Sequence, residues 1–115
     1  MTEYLEEKDE NEENLAVGVA VQKYRAEGLY TIVHSEPDTT RHRRGNLLAL
    51  PFTLEVGKSA WWCYINYQWN DNLEIGGNSC RTSHVLNIEV LIPGDPHSAF
   101  TITTENSVYE FMRER

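Results

Sequence analysis

LLALPFTLEVGKSAWWCYINYQW, residues 47–69, alternates apolar residues along two runs joined by Gly57-Lys58. A period of two marks half-buried strands, and a glycine-first pair suits the two-residue turn of a hairpin. With that turn, Leu54 falls opposite Trp61, Phe52 opposite Cys63, Leu50 opposite Ile65 and Leu48 opposite Tyr67. Apolar residues meet at every step, so pattern and turn agree on one register. The expected core face is Leu48, Leu50, Phe52, Leu54 and Val56 against Trp61, Cys63, Ile65, Tyr67 and Trp69. Trp62, Tyr64, Asn66 and Gln68 then share an outer face with Thr53 and Glu55. Large aromatics on a wet face are typical of contact sites, which makes these four the expected partner-binding residues. Pro51 has no N–H to give a neighbour, so it predicts a free sheet edge beyond strand 47–56.

Other strands follow from the same pattern. Phe100, Ile102 and Thr104, a Glu105-Asn106 turn, then Ser107, Tyr109 and Phe111 form a hairpin that pairs Ile102 with Tyr109 and Phe100 with Phe111. Residues 84–92 alternate Leu86, Ile88, Val90 and Ile92 with Val85, Asn87, Glu89 and Leu91, and stop at PGDP, residues 93–96. Residues 29–34 read as another strand. Residues 14–27 carry two signals: Val17, Val19, Val21 and Gly18 disfavour a helix, whereas Asn11 and Gly28 stand where helix caps would. Residues 35–46 and 70–83 read as long loops, which in a small domain are functional or mobile.

The chain's 115 residues suffice for one core without disulfides or metal. Its net charge of −8 is uneven, because residues 3–13 hold seven acids against Lys8 and the remainder nine bases against eleven acids. The expected organisation is an acidic, disordered tail over 1–13 and a single β-rich domain over 14–115. The fold class is mainly β: an antiparallel sandwich or partly open barrel of six or seven strands, with room for one N-terminal helix. The N-terminus is acidic where an export signal is basic and then apolar, and no run reaches the roughly 18–20 apolar residues of a bilayer span. A cytoplasmic protein without a membrane partner is therefore expected, with Cys63 and Cys80 as free thiols.

For chemistry, the loop offers Arg41, His42, Arg43 and Arg44, candidate contacts to phosphate or nucleic acid through guanidinium forks. The ordinary reading of such a run is a solvated loop or a docking place for the acidic tail. Cys80 and His84 make only half a zinc site, so no metal and no cofactor are expected. His34 and His42 flank Glu36 and Asp38, the residue types of a metal-independent ribonuclease, without a motif to join them. The sequence therefore favours a small non-enzymatic binding protein, an inhibitor or adaptor of a larger macromolecule, with a protein as partner. Single-stranded nucleic-acid binding through Arg41 to Arg44 is the alternative, and a ribonuclease-like enzyme comes third. Oligomeric state stays undetermined, with a homodimer through the free edge or the aromatic face as one route.

Overall fold

The computed structural model describes residues 18–67 and 73–114, with the side chains of 66, 67 and 73–77 set apart. Its strands are β1 (Val19–Val21), β2 (Lys23–Tyr24), β3 (Leu29–Glu36), β4 (Leu48–Ala49), β5 (Leu54–Glu55), β6 (Ser59–Tyr67), β7 (Leu73–Val90), β8 (Ala99–Thr104) and β9 (Val108–Arg113). A 3-10 helix, Asp38–Arg43, links β3 to β4. Every pairing among the described residues is antiparallel. The order β7-β6-β4-β3-β9-β8 returns to β7, so the sheet closes into a six-stranded barrel. β1 adds to β7 outside the ring, and β2 pairs with β5 in a small second sheet. Residues 18–27 are thus strand rather than helix where they are regular, and the acidic residues 1–13 lie outside the described part.

Closure depends on β7. Its first half pairs with β6, from Tyr67↔Leu73 to Ser59↔His84, and its second half with β8, from Val85↔Thr104 to Val90↔Phe100. Residues 73–83, expected as loop, are therefore strand. The expectation failed because the ladder is irregular there: Ile75 to Ser79 spans four residues against two from Cys63 to Ile65. Further shifts lie between Arg81 and His84 against β6 and between Val85 and Asn87 against β8, where the second is a bulge of one residue. One extra residue there swaps the faces, so Val85, Ile88 and Val90 all point inward while Leu86 is 58% exposed.

The closing hairpin β8–β9 has the expected register, Phe100↔Phe111 and Ile102↔Tyr109. Its cross-strand rings stack at 4.6 Å and 7°. Tyr30, Ile32, Leu48, Ile88 and Trp62 complete the fully buried interior.

The central hairpin differs from expectation. Residues 47–56 do not form one strand: β4 ends at Ala49, residues 50–53 leave the sheet around Pro51, and β5 pairs with β2. The turn is Glu55 to Lys58, closed by the Lys58 N–H donating to Glu55 O at 3.1 Å. Gly57, at φ 95°, takes its third position, where a side chain would be strained. β4 then pairs Leu48 with Tyr64 rather than Tyr67, a slip of three residues. An odd slip turns every side chain over. Trp62 and Ala60 are consequently core, whereas Phe52 is 61% exposed and Trp61 lies on the outer face. The predicted free edge is also absent, since β4 pairs with β6 on one side and β3 on the other.

Candidate functional site

The arginine loop is built onto β3 through Ser35, whose side chain points into the protein after a bulge between Ile32 and His34. Thr40 from the 3-10 helix bonds Ser35 Oγ at 2.7 Å, and Arg44 donates Nε to the same oxygen at 2.8 Å and Nη2 to Ser35 O at 2.6 Å. Arg44 is thereby a structural clamp. Arg41 is exposed and lies 3.9 Å from Asp38. His42 shares a hydrogen bond of 3.0 Å between Nδ1 and Thr39 O. Arg43 turns inward and donates Nη1 to the Tyr109 hydroxyl at one end of the barrel. Four neighbours in sequence therefore have four different duties, and His42 and Arg43 border the cleft beside the loop.

That cavity is a cleft of about 610 Å³ between the loop and the β6–β7 hairpin, bordered by His42, Arg43, Tyr64, Asn78, Cys80 and Arg81. A smaller hollow of about 180 Å³ adjoins it, lined by Arg43, Arg81, Ser83, Thr104, Ser107 and Tyr109 among others. Arg43 and Arg81 border both. Among the described residues, neither lining contains an acid, and no carboxylate lies within ion-pair distance of either arginine. Burial raises the Cys80 thiol pKa against a smaller opposing pull from Arg43. Burial likewise raises the Tyr64 phenol. Both groups stay neutral at pH 7, so among the described residues the two arginines give the cleft a positive lining. The Ser83 hydroxyl is buried with no hydrogen-bond partner among the described residues.

A second concavity, about 580 Å³, lies on the outer face and is lined by Phe52, Lys58, Ser59, Trp61, Arg81 and His84 with Gly57. Phe52 lies against Trp61 with ring centroids 5.2 Å apart. Arg81 stands opposite Trp61 in the β6–β7 ladder and joins this groove to the cleft. Lys58 and His84 are engaged locally, by Glu55 at 3.0 Å and Glu105 at 3.6 Å.

The expected contact face is thus redistributed. Trp62 is wholly buried, packed edge-on against Tyr109 and Phe111 at 5.3 and 5.4 Å, and cannot touch a partner. Tyr64 is partly buried and borders the cleft. The Asn66 side chain and Gln68 lie outside the described residues. Phe52, Trp61 and Arg81 were missed. Pro51 was the available signal for Phe52, because a strand that breaks at a proline releases its next side chain. Arg81 had none, since its strand read as loop.

His34 turns to Glu36 at 3.4 Å on the exposed face of β3 and does not line the cleft with His42. Among the described residues no three His, Cys, Asp or Glu side chains converge, and no helix is long and apolar enough to cross a membrane. A scan against protein-family models finds no match, and searches of curated proteins and of solved structures find none either.

Proposed function

We propose that this chain is a small non-enzymatic binding protein that engages a partner protein through the outer groove around Phe52 and Trp61. The observation that carries the reading is Phe52, 61% exposed yet set at a tilt against a second large ring. An exposed ring against a half-buried one, beside an arginine, has the make-up of an interface hot spot, where Trp and Arg are enriched and a few central residues dominate the energy. Burying the exposed part of Phe52 on binding is worth on the order of 1–2 kcal/mol before any contact of Trp61 is counted.

The test is affinity capture from a lysate of the source organism, with and without nuclease, comparing the natural chain with Phe52→Ala. A protein retained after nuclease by the natural chain and lost by Phe52→Ala supports the groove as its contact surface. Retention by both chains places the contact elsewhere. Loss on nuclease treatment transfers the function to nucleic-acid binding.

A further inference from the structure

The geometry points to a second ligand site: we propose that the cleft between Arg43 and Arg81 binds a phosphate monoester group. Three observations meet there. Two arginines border both the cleft and the adjoining hollow, and among the described residues no acid lines either. Arg43 donates Nη1 to Tyr109, leaving further N–H groups on its fork for a ligand, unlike Arg44, whose Nε and Nη2 are both taken by Ser35. The Ser83 hydroxyl in the hollow is buried and has no partner among the described residues, and an acceptor oxygen at that place would satisfy it.

The arrangement selects a terminal phosphate over a phosphodiester chain. A nucleic-acid backbone needs cations spaced along a track, and here the neighbours that would extend one are engaged elsewhere: Arg41 lies beside Asp38 and Arg44 is clamped on Ser35. Two guanidinium groups bordering one small hollow instead match the double charge of a monoester, held bidentately. This site does not rest on the aromatic groove, although Arg81 borders both. The deciding variants therefore involve Arg43, which lines the cleft and the hollow and is not among the described residues lining the aromatic groove.

The experiment titrates the full chain with phenyl phosphate, methyl phenyl phosphate and a decathymidine lacking terminal phosphates, read by calorimetry at fixed salt. Saturable one-site binding of phenyl phosphate is expected, with the diester at least about tenfold weaker, and with Arg43→Gln weakening the monoester at least about tenfold. Arg41→Gln removes an exposed charge of the same loop that lines neither the cleft nor the hollow, and it should stay within about threefold of the natural chain. That separates ligand contact from the general charge of the loop, with circular dichroism confirming that each variant is folded. A phosphoserine peptide carrying an aromatic residue then distinguishes two sources of the group. Binding at least about tenfold tighter than phenyl phosphate identifies a phosphorylated partner, and equal affinity identifies a free small phosphate; either keeps the site. Absence of saturable phenyl phosphate binding, unchanged affinity in a folded Arg43→Gln, or tighter and steeply salt-dependent binding of decathymidine would overturn it.

Discussion

Trp62 and Trp61 are adjacent and chemically identical, and the barrel gives them opposite weights. The Trp62 indole is enclosed by Tyr109 and Phe111 with no exposed surface. Removing it leaves a cavity that rigid rings from β9 cannot fill. Trp62→Ala is expected to cost about 3–5 kcal/mol in a urea titration. Trp61 touches Phe52 on the outside, so Trp61→Ala should cost about 1 kcal/mol or less. Equal losses would mean that the two faces of β6 are equally buried. Alternation alone showed that these residues face opposite ways, but not which way was in. That choice depended on a register three residues away from the one the Gly57-Lys58 turn implied, and the odd slip exchanged Trp61 and Trp62, while Leu48, Leu50 and Leu54 are core as expected.

At the scale of elements, the regular pieces were legible and the irregular ones were not. β8–β9 has an unbroken alternation and a short turn, so its pairs could be read directly from the residues. β7 carries bulges, and each one breaks the period that identifies a strand, which is why residues 73–83 resembled a loop. The Glu55 to Lys58 turn has its own electrostatic signature. A hydrogen bond from Lys58 outweighs the opposing effect of desolvation and, with lesser attraction from Lys23, holds the Glu55 carboxyl below its ordinary pKa. A carboxyl whose folded pKa is depressed contributes stability above its unfolded value and loses it as pH falls through the folded one. Glu55→Gln should therefore be less stable than the natural chain at neutral pH, by a small margin because the pair is solvent-exposed, and indistinguishable from it in acid well below the carboxylate range. Urea midpoints at the two pH values check this, and a gap that persists in acid would assign the loss to something other than charge.

Across the whole molecule, closure of the barrel is the property least visible beforehand, because it is made by one strand serving β6 with its first half and β8 with its second. Periodicity reports local faces; it carries no record of which strand ends meet. The site shares this difficulty, since Arg43 and Arg81 come from segments that the β4–β6 and β6–β7 pairings bring to one cleft, and closure adds Thr104 and Tyr109 to the adjoining hollow. The folded molecule also buries groups that ionise in base. Tyr24 is raised above the ordinary phenol value by burial and by the neighbouring Tyr30 hydroxyl, while its own hydroxyl donates to Pro96 O at 2.8 Å. Cys80 and Tyr64 are raised chiefly by burial as well. For each, the unfolded chain releases its proton first, so stability is level below the unfolded pKa and falls as pH rises through it. The decline is expected to begin near the ordinary thiol value of about 8.5 and to steepen past the phenol value of about 10. Tyr24→Phe should be less stable at neutral pH by about 1 kcal/mol, the usual net worth of one hydrogen bond, yet lose stability more slowly above the phenol value. Urea midpoints taken at neutral pH and at two alkaline values decide the matter: parallel curves for the two proteins would mean that the Tyr24 hydroxyl ionises as readily in the folded barrel as in the unfolded chain.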